Sequence, residues 1–158
     1  YDITVYDPDI VEEKNLTYQN FTRTDLEKKK VDAMAERYDI EANPYMVLTA
    51  GQLKGFDLVV CCADNLDIRR TMYNSDVKWL DLRAQARNAA MISHLEDPKL
   101  YNVFTSGPDG SFSCQGNDWE GKPEGVNFMQ VVIAGYGVQW MQRWFNGDYV
   151  EKHFKING

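Results

Sequence analysis

Long apolar runs are missing from this chain: no stretch approaches the roughly 20 residues of a membrane span, and no signal peptide is visible. Cysteine is scarce, three in 158 residues. Two of the three, Cys61 and Cys62, are neighbours in an apolar run, which excludes a disulfide framework and makes a reducing cytoplasm the expected setting. Excess basic charge is missing as well. The formal net charge is −7, which argues against a broad nucleic-acid surface and still leaves room for one or two lysines to hold a phosphate. The two histidines, His94 and His153, stand isolated and read as structural. Internal repeats and low-complexity tracts are absent. What is present is an ordinary globular composition, 44% hydrophobic and 26% charged, in a length that suits one domain with a real core.

Apolar runs alternate with helical patterns. Ile3–Tyr6 reads as a buried strand, followed by a polar loop. A helix is expected from near Asp25 to about Tyr38, because Val31, Met34, Ala35 and Tyr38 recur at three- and four-residue spacing. Asn43-Pro44 then turns the chain, Tyr45–Leu48 is short and strand-like, and Asp57–Cys62 is the next strand. A helix over Leu66–Tyr73 follows, with Asp64 or Asn65 as its N-cap. Val77–Leu82 and Ala89–Leu95 read as two more strands. From Ser106 to Gly125 the chain turns to glycine, proline and small polar residues, the chemistry of a long loop of the kind that contacts partners. An apolar, aromatic helix is expected from about Asn127 to Phe145. The alternation predicts an α/β domain with a mostly parallel, Rossmann-like sheet and flanking helices.

Ligands of such sheets sit beyond the carboxyl ends of the strands. Asp7 and Asp9 follow the first strand and Asp64 follows the strand ending in Cys62, so all three fall at that edge. Between them in sequence lie Asn15, Asp25 and the cluster Lys28-Lys29-Lys30. Carboxylates at strand ends with a lysine between them suit a nucleotide's ribose, phosphates and metal. Taken one at a time the residues have blander readings: Asp64-Asn65 as a helix cap, the lysines as solvated surface.

Taken in order, Asp7, Asp9, Val11, Glu12, Asn15, Leu16, Gln19, Asp25, Lys30, Asp64, Asn65 and Arg69 resemble the pattern of the ThiF/MoeB/HesA family, the bacterial branch of the ubiquitin-activating enzyme superfamily. The likeness covers the first 70 residues well and the remainder loosely. It implies a single ThiF-type adenylation domain over residues 1–158, in which ATP and Mg²⁺ activate the C-terminal carboxylate of a ubiquitin-like or sulfur-carrier protein. It further implies that Asp7 holds the ribose hydroxyls, Asn15 and Lys30 contact phosphates, and Asp64 holds Mg²⁺. Asp9 joins the nucleotide-binding set, and Arg69 either orients Asp64 across one helical turn or contacts the nucleotide. Lys30 and Asp64 are the expected catalytic residues.

The chain departs from the family in three places. Tyr18 stands where the family has an arginine, and Glu27 and Lys29 replace a glycine and a proline ahead of the lysine. The chain also begins at the family's second strand, without the strand–glycine-loop–helix unit whose amides bind phosphate. Either Tyr1 is not the natural start, or the protein is a catalytically inactive scaffold that binds a partner. A dinucleotide-dependent oxidoreductase would explain Asp7 but neither Lys30 nor Asp64. Cys114, in the glycine-rich loop of residues 106–126, has no Cys-x-x-Cys partner and so forms no paired zinc site; a thioester or persulfide role stays open. Asp81 and Arg83 fit the active edge and a structural ion pair equally well. Family members commonly dimerise, so the helix around Tyr136–Trp144 is either a homodimer contact, with Trp140 and Trp144 at its centre, or a cover for its own sheet.

Overall fold

The computed structural model describes residues 1–106, 115–116, 119 and 122–158. It divides into two compact units, Tyr1–Val47 with Glu120–Val126, and Leu48–Trp119 with Asn127–Gly158. Both are mixtures of helix and strand, and the α/β class holds in each.

In the first unit, β1 (Thr4–Tyr6) and β2 (Glu41–Asn43) form a parallel pair with Val5 opposite Ala42. Between them run a single turn of helix, α1 (Asn15–Tyr18), and α2 (Lys30–Ala35). Val31 and Ala33 of α2 are fully buried and Val11 nearly so. The helix expected from Asp25 to Tyr38 is therefore mostly not there. A 3-10 turn at Arg23–Asp25 stops at Leu26, whose ψ of 138° is not helical, and Glu27 takes a left-handed φ of 66°. The chain then pairs back on an earlier segment. Glu27 N–H donates to Val11 O at 3.0 Å, Val11 N–H to Lys28 O at 2.9 Å, and Ile10 bridges Lys29. Long-range backbone pairing has overridden the helical spacing, and only the last part of the pattern becomes α2. The strand expected at Tyr45–Leu48 is displaced too: the strand is the polar Glu41–Asn43, ahead of Pro44, and Tyr45 and Met46 are exposed.

In the second unit the sheet order is β3 (Val59–Cys61), β4 (Trp79–Gln85), β5 (Asn88–Ser93), β6 (His153–Ile156). The β3–β4 pair is parallel, and β4–β5 and β5–β6 are antiparallel. The parallel pair is joined through α3 (Leu66–Tyr73), found where the sequence pattern places it. Two elements have no counterpart in the sequence reading. They are β6 and α4 (Pro98–Thr105), whose N-cap Asp97 accepts from Lys99 N–H with Pro98 in the first turn. Strand β4 is covered on both sides, which explains its nearly continuous burial. Leu80 and Leu82 face α5 (Met129–Phe145), in a core shared with Ala89, Met91, Ile133, Trp140 and Val150. Trp79 and Asp81 face α3, where Tyr73 stacks on Trp79 at 4.4 Å between ring centroids.

Helix α5 uses its tryptophans internally. Trp140 is 2% exposed and its Nε1 donates to Glu151 O at 2.8 Å. Trp144 stacks on Trp140 and meets His94 edge-on. Trp140 thus covers its own sheet, and the half-buried Trp144 packs against the same core. The exposed large apolar residues of the helix are Val131, Val132, Val138 and Phe145. Among the described residues no helix is long and apolar enough to cross a membrane.

Candidate functional site

Four of the six expected site residues belong to the first unit. Asp7 follows β1, and its Oδ1 accepts from Asp9 N–H at 2.9 Å, a local turn that holds the two aspartates together. Asp9 is in turn joined to Lys30 twice. The Lys30 backbone N–H donates to Asp9 O at 3.0 Å and Nζ donates to Asp9 Oδ2 at 2.8 Å. Lys30 is the first residue of α2, with its side chain only 14% exposed against 63% for Asp9. The cluster of lysines is thereby sorted: Lys28 pairs with Glu36 at the surface, Lys29 Nζ donates to Pro8 O at 2.6 Å, and Lys30 alone meets a candidate carboxylate. Asn15 is buried, and its Oδ1 accepts from Glu12 N–H at 2.9 Å, which fixes the turn into α1.

Asp25 has a structural environment. It is buried and accepts from Thr22 N–H at 2.7 Å, Thr22 Oγ1 at 2.9 Å and Arg37 Nη2 at 2.9 Å. These bonds, the Thr22 amide foremost, hold its carboxyl below the usual carboxylate range.

The other two residues belong to the second unit. Asp64 lies in the exposed turn between β3 and α3. The cap is its neighbour Asn65, whose Oδ1 accepts from Asp67 N–H at 2.7 Å. Arg69 takes Asp81 as its carboxylate partner. It is 5% exposed, and its Nε donates to both oxygens of Asp81, at 2.9 and 3.1 Å. Burial disfavours the charged guanidinium, and the Asp81 carboxylate outweighs that, so the Arg69 pKa is raised. Asp81 is fully buried and also accepts from Arg83 Nε at 2.9 Å and from the Tyr73 hydroxyl. Burial, then the Asp81 charge, pushes the Tyr73 phenol up, so it stays a protonated donor. The sequence weighed Asp81 and Arg83 as an open pair and offered no sign that Tyr73 and Arg69 complete it. Their shared signal, residues four apart on a helix facing alternate residues of the next strand, is visible only once β4 is in register.

Cys61 is buried, and burial pushes its thiol up to about 12, so it packs rather than reacts. His94 and His153 are structural: His94 Nδ1 lies 3.1 Å from Trp79 O, and His153 pairs with Glu96. Cys114 lies outside the described residues. Among the described residues no three His, Cys, Asp or Glu side chains assemble into a metal cage. Mg²⁺ carried by a nucleotide needs only one or two protein carboxylates, with phosphate oxygens and waters, and Asp64 is an exposed carboxylate.

No family model matches the sequence, and no curated protein matches it. Solved structures do match in fold. E. coli MccB with ATP superposes with a TM-score of 0.64 at 14% identity, over 99% of this chain and 53% of that one. The figures for PaaA are 0.60, 14%, 98% and 52%. MccB with AMPCPP and MccA gives 0.61 at 13% identity, over 99% and 53%. The likeness shows a Rossmann-like α/β fold. The chain spans about half the length of the structures it matches.

Proposed function

We propose that this chain takes part in ATP-dependent adenylation of a C-terminal carboxylate, on a peptide or on a small ubiquitin-like or sulfur-carrier protein. A carboxylate oxygen attacks the α-phosphorus, the α–β phosphoanhydride breaks, and pyrophosphate leaves. Asp7 holds the ribose hydroxyls, Asn15 and Lys30 meet phosphate oxygens, and Asp64 takes the metal. Mg²⁺, when bound, neutralises charge on the phosphates. The ordered resemblance to the ThiF/MoeB/HesA family supplies these roles, and MccB, similar in fold, is known with ATP and with AMPCPP.

The observation that carries the reading is the arrangement of Lys30. A mostly shielded ammonium stands at the start of α2, held to the residue pair that follows β1. A lysine with only a surface role has no need of that shielding. Its partner Asp9 is the more exposed of the two, so an incoming phosphate can compete for Nζ without unfolding the loop. Asp9 thus keeps the charge in place until the phosphates arrive.

ATP–pyrophosphate exchange in the presence of a peptide carboxylate tests the proposal. Lys30→Ala and Asp64→Ala are each expected to cut exchange by about 100-fold or more. Asp64→Ala should leave the melting temperature nearly unchanged because Asp64 is exposed, and Lys30→Ala should cost no more than about 1 kcal/mol because its partner Asp9 is exposed. Wild-type exchange in either variant would remove that residue from the site.

A further inference from the structure

We propose that Asp81 is the positioning residue of the turn that presents Asp64: its buried carboxylate gathers Arg69 of α3 and Arg83 of β4, and through Arg69 it fixes where that turn stands. The inference deepens the adenylation reading and rests on Asp64 as the metal-binding carboxylate.

The geometry begins with register. Asp81 lies opposite Cys61, the last residue of β3, so its side chain stands at the level where β3 ends and the Asp64 turn begins. Arg69 projects from α3 onto it with bonds of 2.9 and 3.1 Å. The same guanidinium reaches back one helical turn, where Nη1 donates to Asn65 O at 3.4 Å, the residue that follows Asp64 and caps the helix. Tyr73, one turn further along α3, donates to Asp81 and accepts from Arg83 Nη2 at 2.8 Å. Both ends of α3 are thus tied to one carboxylate. The network continues to α4, where Arg83 Nη1 donates to Phe104 O and Arg70 Nη2 donates to Thr105 O at 3.2 Å.

Stability alone does not account for this cluster. Two arginines share one carboxylate, and taking such charges out of water is costly enough that apolar replacements of similar volume often serve as well. The apolar contact is already made, because Tyr73 stacks on Trp79 and Trp79 meets Tyr101. Directional hydrogen bonds add orientation, which apolar packing does not supply. Orientation is what a Mg²⁺ ligand needs, since that ion demands near-ideal octahedral geometry from few protein groups. Residues that hold a metal ligand in place typically change metal affinity by about 10- to 100-fold when altered.

The test uses Arg69→Lys and Tyr73→Phe, which weaken the network while keeping Asp81 partnered. Asp81→Asn accompanies them as the severe variant, expected to melt lower because it leaves two arginines without a carboxylate. Amide hydrogen exchange is followed over residues 62–68, where the Asp67 N–H reports the Asn65 cap, and ATP–pyrophosphate exchange is measured against free Mg²⁺. The expected result is faster hydrogen exchange over 62–68 with β4 and β5 still protected. Half-maximal activity should require about 10- to 100-fold more Mg²⁺, with the rate at saturating Mg²⁺ retained. Unchanged protection over 62–68 in both mild variants would overturn the proposal, as would protection lost evenly across the sheet, the mark of a purely structural cluster. A wild-type chain without pyrophosphate exchange would sink the adenylation reading instead, and hydrogen exchange alone would then decide whether Asp81 holds the turn.

Discussion

Glu27 carries a φ of 66° in the loop ahead of Lys30, a conformation that costs a side-chain-bearing residue about 1–2 kcal/mol. The ThiF/MoeB/HesA pattern that the sequence resembles has glycine there, and a left-handed φ is one that glycine takes without strain. Glu27 is exposed and loses no packing on truncation. Glu27→Gly should raise stability by up to about 1 kcal/mol in a denaturant melt, while Glu27→Ala should gain nothing; equal gains would mean that the charge, not the dihedral, is the problem. Asp25 makes the second case at this scale. Its carboxyl is held below the usual range in the fold, so its contribution is present above the unfolded value of about 3.9 and is lost as pH falls toward the folded one. Wild type should melt higher than Asp25→Asn at pH 7, with the gap closing below about pH 4. A gap that persists to the lowest pH at which the fold survives would show that the carboxylate's charge is not the source. Neither residue's role was visible in sequence: Asp25 looked like a helix start, and φ at Glu27 follows from pairing with Val11 sixteen positions away.

Elements were legible where local chemistry and packing agree. Helix α3 keeps its expected bounds because Asn65 caps it and Tyr73 ends it against Trp79. Helix α5 likewise begins within two residues of its expected start, its apolar spacing matched to a sheet face. The Asp25–Tyr38 helix failed where backbone pairing across 16 to 19 residues took over its first half. The strand at Tyr45–Leu48 failed because β2 is defined by its partner β1 and carries no apolar signal of its own. Within α5, two glycines separate propensity from packing. A Cβ on Gly135 would meet nothing within 4 Å, whereas one on Gly137 would come 2.5 Å from Leu82 Cδ1 in the core. Gly135→Ala should therefore stabilise by about 0.5–1 kcal/mol, and Gly137→Ala should destabilise by about 1–3 kcal/mol as overpacking outweighs propensity. Matching gains in thermal melts would mean that α5 can move off Leu82 freely.

For the molecule as a whole, Mg²⁺ with and without ATP is the informative probe. The chain carries a net charge of −7, yet its described carboxylates form no three-residue cage. Millimolar Mg²⁺ alone should leave the melting temperature where it is. Mg²⁺ with ATP at a hundredfold excess over Kd should raise it by about 5–10 °C, the equivalent of about 2.7 kcal/mol. An equal rise with Mg²⁺ alone would point to a resident metal site and against a nucleotide-borne ion.

The sequence by itself determined the α/β class, the helix after Asp64 with its cap, and the aromatic helix, and it carries the ordered set Asp7, Asp9, Asn15, Lys30 and Asp64 on which the proposed nucleotide site rests. Those features rest on local chemistry: strand-end carboxylates, apolar period, capping side chains. Only the tertiary structure decided which partner each charge takes. Lys30 goes to Asp9, Arg69 goes to Asp81, and Trp140 of α5 goes inward. The reason is range. An ion pair or a buried ring is chosen by what strand register and helix packing bring within a few ångströms, and here those partners lie 12 or 21 positions away in sequence for the two ion pairs.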